Sequence, residues 1–528
     1  MNDSRLDSSD RPNSQATNDA LNAIDDDVKT LHSLGYGQEL LRRMSGFSNF
    51  AISMSIICIL AGCITSFAEG FSRVGGAAIG LGWPLGVMIS LCLALTMAQV
   101  ASAFPTAGGL YHWASILGGR GWGWATAWFN LAGLITVLAA INVGTYEFVA
   151  GAFRVPVGGH PQAFKILAVA GITFSQAAFN HRGIRITTRL TDFSGYLILI
   201  VAVALTVAML ASAGGLDMSR LVTFTNYSGP AGGGVVPTSG NVAWLFLLGL
   251  LLPAYTVTGY DASAHTAEET VGAAQHVPRG IVRSVLVSGI FGWVMLSAVV
   301  LAAPSMNSAA AQGKNAFAWI MQNVLNPNVS LALSIGIAVA QYLCGLATVT
   351  SASRMVFAFA RDGGLPFSGA LRRVSPRSLT PSIAIWTVAV LAVSFTIYAK
   401  AYSVITAAAV IFLYISYGVP TALGFFAYGR TWTKMGPWDI GKCYRVLAVL
   451  SVIGCGLLIV VCVWPPNDLN LKIVGVSLGL LAVAWFGFER HRFQGPPEGL
   501  MIQRRQAEIQ AEEQRSGVLE RIHDESEH

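Results

Sequence analysis

Residues 256–270 bring acidic, aromatic and hydroxyl side chains together directly after a long apolar run. Because glycine lacks a Cβ, Gly259 is a point at which a helix can break. A break leaves backbone carbonyls free on one side and backbone amides free on the other. Such helix ends bind the carboxylate and ammonium groups of a small zwitterion. The predicted ligand-binding residues of this segment are Thr258, Gly259, Tyr260 and Asp261.

Two roles are open for Asp261. As an N-cap, its carboxylate would accept a hydrogen bond from the backbone amides of the following helix, and asparagine would serve as well. As the partner of a cationic amine or of a coupled proton, it would need its negative charge, which asparagine lacks. The cap is the simpler interpretation. It predicts that Asp261→Asn keeps most of the activity and that Asp261→Leu loses it.

A second set of small residues interrupts the first apolar segment of the chain, at Ala61, Gly62 and Cys63. If that helix also breaks, the backbone amides of these residues form the positive end of its second half and suit a carboxylate. Small residues in apolar helices also serve close helix packing, so contacts from the backbone rather than from side chains are predicted. Interruptions at matching positions of two halves are typical of inverted-repeat transporters.

Charged and hydroxyl residues near the ends of the apolar segments give further predictions. Glu268, Arg354 and Asp192 are gate or ion-pair candidates, because charges at membrane depth need partners. Arg354 would pair with Glu268 or Asp192 or extend to the membrane surface, and Glu268 and Glu269 are expected to pair with arginines of the loops. Thr350 and Ser351 would offer hydroxyl oxygens to a cation, unless they only bond back to the carbonyls of their own helix. The chain shows no ligand spacing typical of a metal site. No metal and no cofactor are therefore expected.

The elements that must position these residues are membrane helices. Of the 528 residues, 53% are hydrophobic and 11% are charged, whereas an ordinary soluble domain has about 25% charged residues. Twenty-eight of the charged residues lie in 1–43 and 489–528, which leaves too few to cover a soluble surface. A helix that spans a bilayer needs about 20 mostly apolar residues. Twelve spans are predicted, in the windows 48–70, 82–104, 122–150, 163–180, 191–213, 241–266, 279–303, 329–358, 380–398, 403–428, 444–464 and 470–488.

The distribution of Lys and Arg predicts the orientation of these spans. With the N-terminus inside, the inner connecting segments hold fifteen basic residues and the outer segments hold seven. Cytoplasmic loops carry the excess of Lys and Arg in membrane proteins. We therefore expect a multi-pass protein of the cell membrane (the inner membrane in a bacterium) with both termini in the cytoplasm.

Six parts are predicted along the chain. They are a disordered cytoplasmic tail (1–43), a first five-helix repeat (44–214), a Gly-rich, flexible extracellular loop (215–240), a second five-helix repeat (241–429), two further helices (430–490) and a cytoplasmic C-terminal tail (491–528). The basic residues are not gathered on one face as in a nucleic-acid-binding protein. The chain also lacks the nucleophile elbow and the phosphate loop of enzymes. Neither nucleic-acid binding nor catalysis is expected.

Five motifs resemble those of a known family. They are the segment 244–279 (WLFLLGLLLPAYTVTGYDASAHTAEETVGAAQHVPR), FPTAGGLYHW (104–113), FNHRGIRITTRLTDFSGY (179–196), TSASRMVFAFARDGGLPFS (350–368) and GPWDIGK (436–442). Over about 45–497 the chain resembles the amino acid–choline transporter group, which holds GABA and amino acid permeases of the amino acid–polyamine–organocation superfamily. The resemblance implies the leucine-transporter-type fold. That fold has two inverted five-helix repeats with broken helices 1 and 6, two extra helices, and a substrate site at the two breaks.

The resemblance and the interrupted helices together predict a secondary active transporter, or permease. Its substrate would be a small amino acid or related amine, GABA-like first, carried by alternating access. The alternatives are a choline, ethanolamine or polyamine transporter of the same fold, and a nutrient sensor that binds the same ligand. The expected partners are the substrate, the lipid bilayer, and a proton, a sodium ion or a counter-substrate. The span at 191–213 has no lysine, so it lacks the lysine that replaces a sodium ion in some superfamily members.

Overall fold

The chain is built from helices. The computed structural model describes residues 11–153, 155, 159–398, 402–465, 467–520 and 522. Within these residues, β-type pairing is limited to two isolated bridges, Met44 with Thr270 and Tyr428 with Trp432. Ten of the described helices are long and apolar enough to cross a membrane, and two shorter apolar helices, Val242–Thr256 and Ser382–Tyr398, accompany them. The predicted class, an all-α polytopic membrane protein, is confirmed.

The helices are numbered in chain order. Those of the first half are α1 (Arg11–Ser33), α2 (Gly46–Ile57), α3 (Ile59–Thr65), α4 (Phe67–Val74), α5 (Trp83–Ala103), α6 (Leu110–Gly118), α7 (Arg120–Ala152), α8 (Pro161–His181) and α9 (Ile184–Ala211). Those of the second half are α10 (Val242–Gly249), α11 (Leu251–Thr256), α12 (Ala262–His265), α13 (Ala273–Ala302), α14 (Met306–Ala311), α15 (Ala316–Val324), α16 (Pro327–Arg361), α17 (Ser368–Leu371), α18 (Ser382–Tyr398), α19 (Tyr402–Ala427), α20 (Cys443–Val463), α21 (Asp468–Ala484), α22 (Arg490–Arg492) and α23 (Leu500–Ser516).

Side-chain caps fix the starts of three helices that matter for the site. Ser45, Asn241 and Asn326 each accept a hydrogen bond from a backbone amide in the first turn of α2, α10 and α16. Short polar side chains are favoured there because those amides have no partner within the helix. Pro327 occupies the first position of α16, where its missing N–H costs nothing.

The interrupted helices lie at the centre of the helix packing. α7 packs against α19, α16 and α6, while α13 packs against α5, α2 and α9. Between these two groups, α3 contacts α7, α11 and α16, and α12 contacts α2, α13 and α16. Each break in the helix ladder is therefore surrounded by long helices that can supply its polar groups with partners.

The prediction that the N-terminal tail is disordered is wrong for its described part. Residues 11–33 form α1, on which Ile24 and Leu31 are buried. Asp27 on the same face accepts hydrogen bonds from the amides of Gly272 (2.7 Å) and Ala273 (3.0 Å). Burial raises the pKa of the Asp27 carboxyl above its usual range, against the lowering effect of nearby charge. The few apolar residues of the tail recur at helical spacing, which lets it dock despite its polar composition. Residues 1–10 lie outside the described residues.

The Gly-rich loop, predicted to be a flexible connector, has local structure and a contact with the helices. It contains two 3-10 turns, Met218–Leu221 and Gly229–Gly232. The amide of Thr225 donates to the carbonyl of Val74 (3.2 Å), which attaches the loop to the end of α4. Glycine permits both flexibility and close packing of a loop on helix ends, and composition alone does not distinguish the two.

Candidate functional site

The first helix interruption lies at Cys58, between α2 and α3. Cys58 has a φ of 25° and a ψ of 84°, outside the helical region. The hydrogen bonds of α3 restart with the amides of Ala61 and Gly62, which donate to the Cys58 carbonyl (2.7 and 3.0 Å). The amides of Ile59 and Leu60 precede these bonds, so they form the free positive end of α3.

Side chains of α16 hold this interruption in place. Gln341 Nε2 donates to the carbonyl of Leu60 (3.0 Å). The Sγ of Cys344 lies 3.3 Å from the carbonyl of Ile56 and donates to it. The carbonyls on both sides of the break thus find partners on a different helix. Because tertiary contacts impose the break on a non-glycine residue, the local sequence does not mark it.

The sequence predicts this interruption at Ala61, Gly62 and Cys63, and that position is wrong. All three residues are buried and lie within α3, beyond Cys58. A Cβ on Gly62 would lie 2.7 Å from the Cα of Thr256. Gly62 is therefore the residue through which α3 packs closely on α11, which is the packing role of small residues in membrane helices.

The second interruption spans residues 257–261, between α11 and α12, where the sequence predicts it. Gly259 has a φ of 87°, a left-handed conformation that residues with a Cβ rarely adopt. Its amide donates to Tyr417 Oη of α19 (3.0 Å). Ser53 Oγ of α2 donates to the carbonyl of Tyr260 (2.9 Å). Backbone groups released by the break are therefore taken up by hydroxyl groups of two neighbouring helices.

Asp261 ends the second interruption, and its side chain makes no capping hydrogen bond to α12. It is fully buried. Its Oδ1 accepts a hydrogen bond from Tyr417 Oη (2.8 Å), and its Oδ2 accepts one from Asn130 Nδ2 (2.9 Å). His265 Nε2 lies 3.2 Å from the same Oδ2. The interpretation of Asp261 as an N-cap is therefore wrong, because its carboxylate binds side chains of α7, α12 and α19.

The three side chains that bind Asp261, namely Asn130, His265 and Tyr417, are not predicted from the sequence. His265 carries a local signal, because residues four apart lie on one face of a helix. Asn130 and Tyr417 carry only the signal of a polar group within an apolar span. They are 131 and 156 residues away from Asp261 in the chain, which hides the contact from any local pattern.

Four buried charged residues form an ion-pair layer between residues 268–269 and α16. Arg354 donates through Nε and Nη2 to the two carboxylate oxygens of Glu269, both at 2.9 Å. Arg361 donates through Nη1 and Nη2 to those of Glu268, at 3.0 and 2.8 Å. Bidentate, charge-assisted hydrogen bonds of this kind are among the strongest that a carboxylate forms with a side chain. The ion-pair layer therefore fixes the end of α12 against α16.

The predicted pairing of Arg354 with Glu268 or Asp192 does not form. Arg354 pairs with Glu269, and Glu268 pairs with a different arginine. Asp192 is only partly buried on α9 and accepts a hydrogen bond from Ser48 Oγ (3.0 Å). The reason is helix geometry: Arg354 and the second arginine are seven residues apart on α16, about two turns, and so reach neighbouring glutamates.

The N-terminal segment lies directly against the ion-pair layer. Arg42 is buried and donates to the carbonyls of Ala267 (3.0 Å) and Thr270. The amides of Arg43 and Met44 both donate to the carbonyl of Glu269 (2.8 and 2.7 Å). The chain that enters α2 and the chain that leaves α12 are thus joined at one end of the molecule.

Thr350 and Ser351 do not meet at a common site. Thr350 Oγ1 donates to Asn180 Oδ1 of α8 (2.7 Å) and to the carbonyl of Leu346 (3.1 Å). Ser351 Oγ is buried and has no hydrogen-bond partner among the described residues. Adjacent residues on a helix face different directions, so the two hydroxyl groups belong to different surroundings. The back-bonding interpretation fits Thr350.

Several buried polar atoms on the elements around the two interruptions have no hydrogen-bond partner within the described part of the chain. They are Tyr260 Oη, Asn130 Oδ1, Gln341 Oε1 and Ser351 Oγ. An unpaired buried polar atom costs about 1–3 kcal/mol, so native proteins usually satisfy such atoms. The elements around the interruptions therefore hold unpaired donors and acceptors, the two kinds of group that bind a small polar molecule.

A cavity of about 280 Å³ lies beside α3 and α4, at the opposite end of the first interrupted helix from the ion-pair layer. Thr65, Glu69, Glu147 and Tyr402 contribute to its lining. A larger cavity of about 630 Å³ lies between the end of α16 and α23, beyond the ion-pair layer and away from both interruptions. The molecule thus has a cavity on one side of the interruptions and a layer of buried ion pairs on the other.

Comparison with known proteins gives consistent similarities over most of the chain. The sequence model of a family described as "Amino acid permease" matches residues 44–486. The chain is 32% identical to Amino-acid permease BAT1 of Arabidopsis thaliana in an alignment of 513 residues that covers 89% of this chain and 96% of the plant protein. It is 30% identical to the Amino-acid permease BAT1 homolog of Oryza sativa subsp. japonica over 504 residues, 88% of this chain and 94% of that protein. It is 26% identical to the GABA-specific permease of Saccharomyces cerevisiae over 510 residues, 91% and 87% of the two chains.

Proposed function

Because the chain belongs to the amino acid permease family, and so is an amino acid transporter of a membrane, we propose that it works by secondary active transport. Its substrate is a small amino acid or related amine, which crosses the cell membrane by alternating access. GABA-like substrates come first, supported by the similarity to a yeast protein named GABA-specific permease. The names of these relatives favour neither a choline, ethanolamine or polyamine transporter nor a nutrient sensor.

The observation that carries this proposal is the meeting of two interrupted helices beside buried, unpaired polar atoms. The amides of Ile59 and Leu60 lie at the positive end of α3 and suit the substrate carboxylate. The carbonyl oxygens of Ala254, Tyr255 and Val257 at the end of α11 accept hydroxyl hydrogens, but each keeps a second lone pair that suits the substrate amine. Tyr260 of the second interruption adds Oη, a buried polar atom without a partner among the described residues. A zwitterion matches this set, and a purely cationic ligand would leave the amides unused.

We further propose that the ten long and two shorter apolar helices make twelve spans. The first ten form two inverted five-helix repeats, followed by α20 and α21. The position of the interrupted helices supports this arrangement, since α2–α4 open the first half of the chain and α10–α12 open the second. The excess of Lys and Arg in the inner loops supports placing both termini in the cytoplasm and the ion-pair layer at the cytoplasmic side of the protein. The cavity beside α3 and α4 then opens outward.

Cysteine labelling tests the orientation. Ala231 is exposed in the predicted outer loop, and Cys443 is an exposed native cysteine at the predicted inner start of α20. In intact cells, Ala231→Cys on a Cys443→Ser background is expected to react with a membrane-impermeant maleimide. Cys443 in the unaltered chain is expected to react only after permeabilisation, so it serves as the matched inner control. The reverse pattern would reject the proposed orientation.

Uptake into proteoliposomes tests the proposed function. We expect saturable entry of radiolabelled GABA or another small amino acid in the presence of the purified protein, and none in protein-free liposomes. Unlabelled choline and putrescine are expected to compete weakly, because the site offers amides for a carboxylate that they lack. Uptake of choline in preference to every amino acid would favour the cation transporter. Binding of an amino acid, measured as a rise in thermal stability, without any movement across the membrane would favour the sensor.

A further inference from the structure

Three buried carboxylates follow the second interruption, and they differ in their partners. Glu268 and Glu269 each pair with an arginine of α16, and an arginine side chain does not give up its proton in a protein. Asp261 instead pairs with His265, at 3.2 Å, with both side chains fully buried. Histidine gains and loses a proton near neutral pH. Of the three carboxylates, Asp261 is thus the one with a titratable partner.

The imidazole of His265 lies between two hydrogen-bond acceptors. Its Nδ1 is 3.1 Å from the carbonyl oxygen of Ala107, and a carbonyl only accepts, so Nδ1 must carry a hydrogen. A second hydrogen is needed between Nε2 and Asp261 Oδ2, since an unprotonated nitrogen and an ionised carboxylate would face each other with lone pairs. This second proton lies on His265 or on Asp261. In either arrangement the pair holds one shared proton.

The groups that face this pair offer hydrogen bonds but no fixed positive charge. Asn130 Nδ2 and Tyr417 Oη donate to the Asp261 carboxylate at 2.9 and 2.8 Å. The rings of Tyr260 and Tyr414 lie 5.0 and 5.8 Å from that of Tyr417 and add two phenol groups nearby. In the part of the chain that the structure describes, the ion pair of Asp261 is the one with His265. Loss of the shared proton would leave a buried negative charge at membrane depth, which is strongly unfavourable.

Hydrogen bonds connect the pair to both functional regions. Ala107 binds the imidazole through its carbonyl and donates through its amide to Glu268 Oε1 of the ion-pair layer (3.0 Å). Tyr417 donates to the carboxylate of the pair and accepts from the amide of Gly259 in the second interruption (3.0 Å). Opening of the ion-pair layer would displace Ala107 and remove the carbonyl that holds the Nδ1 hydrogen. The shared proton is therefore sensitive to the state of that layer and to the backbone of the proposed substrate site.

We propose that Asp261 and His265 form a proton-binding site that couples substrate entry to the entry of one proton. This inference rests on the proposed transport function. With the ion-pair layer closed, the pair takes up one proton from the outer side. When the layer opens, the proton leaves to the cytoplasm, and the pair is left as a neutral imidazole and an ionised carboxylate that water can reach. The substrate is unchanged chemically, and one proton crosses the membrane with it.

Proteoliposomes with purified protein and radiolabelled GABA as the probe test this site. Counterflow, the exchange of labelled for unlabelled GABA without a pH gradient, reports substrate movement alone. With the membrane potential clamped, one coupled proton and one pH unit support at most about tenfold accumulation, because a pH unit and a tenfold ratio have equal free energy. Asp261→Asn and His265→Gln each remove one of the two groups that share the proton. We expect up to about tenfold accumulation by the wild-type protein and no accumulation by either variant, with counterflow retained by His265→Gln.

His112 provides the matched control. Its Nε2 lies 3.2 Å from Asp362 Oδ2 in a second buried pair, but its Nδ1 faces the hydroxyl of Thr106 (2.6 Å), which can donate. No extra proton is required there, so His112→Gln is expected to accumulate GABA like the wild-type protein.

The outcomes separate the proton site from the transport function. Wild-type counterflow without gradient-driven accumulation overturns the proton site and leaves transport standing, and so does equal accumulation by the wild-type protein and the two pair variants. Absence of wild-type counterflow with GABA and with every other amino acid of the uptake panel overturns the transport function, and the proton site with it. Size-exclusion profiles check folding. A pair variant that folds and keeps counterflow decides the question, and folded variants that both lose counterflow assign the pair to the substrate path and overturn the proton site.

Discussion

Arg354→Met is expected to lower the free energy of unfolding by about 3–5 kcal/mol, because it leaves a buried carboxylate without its cation. The side chains of Arg354 and Glu269 are both fully buried and are joined by two hydrogen bonds of 2.9 Å. Removing one partner of such a pair leaves an uncompensated charge, whereas removing both leaves none. The double variant Arg354→Met/Glu269→Gln is therefore expected to recover much of the loss. Thermal and denaturant unfolding in detergent micelles, completed as a double-mutant cycle, measures both effects.

An exposed pair in the same chain serves as the control for this cycle. Lys29 and Asp26 are 3.2 Å apart with side chains that are 75% and 78% exposed. Exposed pairs contribute little, because water screens the charges and the side chains lose freedom when they pair. Lys29→Met is expected to leave unfolding unchanged. If Arg354→Met behaved like Lys29→Met, or if the double variant were as unstable as the sum of the single ones, the buried pair would not have the role assigned to it.

The second interruption illustrates what local sequence determines. Gly259 follows a long apolar run and precedes a cluster of polar residues, and these features are enough to place the break within a residue or two. The same holds for most membrane helices, because a run of about 20 apolar residues needs no information from the rest of the chain. The two adjacent acidic residues at 268–269, next to an apolar segment, also predict that cationic partners are present. Its partners lie 93 and 85 residues away, so only their residue type can be anticipated.

The first interruption and Asp261 show where local sequence fails. Cys58 is not a residue that favours a positive φ, and it adopts one because α16 binds the carbonyls on both sides of the break. Asp261 has the sequence context of an N-cap, but side chains from two distant helices bind its carboxylate instead. In both places long-range contacts override a local preference. Prediction from one sequence detects the local conformational preference but not the long-range contacts that override it.

Gly259→Ala and Gly62→Ala are each expected to reduce the rate of GABA counterflow by about tenfold or more. A tenfold reduction needs a rise of only about 1.4 kcal/mol in the activation free energy of transport. A Cβ on Gly259 would lie 2.2 Å from Ile56 Cγ2, and its φ of 87° disfavours alanine in any case. A Cβ on Gly62 would lie 2.7 Å from the Cα of Thr256. In the first case the side chain of α2 can move in part. In the second the obstacle is backbone, so α3 and α11 must separate.

Gly171→Ala distinguishes this steric effect from the general effect of replacing glycine in a helix. Gly171 lies within α8, and a Cβ there would meet nothing within 4 Å. Alanine is expected to stabilise α8 slightly, since it restricts the unfolded chain without strain in the helix. Counterflow should then be unchanged for Gly171→Ala and reduced for the other two, with all three proteins purified as monodisperse species. A wider gap between α3 and α11, or a restored helix at 257–261, would alter a passage between the two interruptions. Wild-type rates for Gly62→Ala and Gly259→Ala would therefore mean that substrate does not pass there.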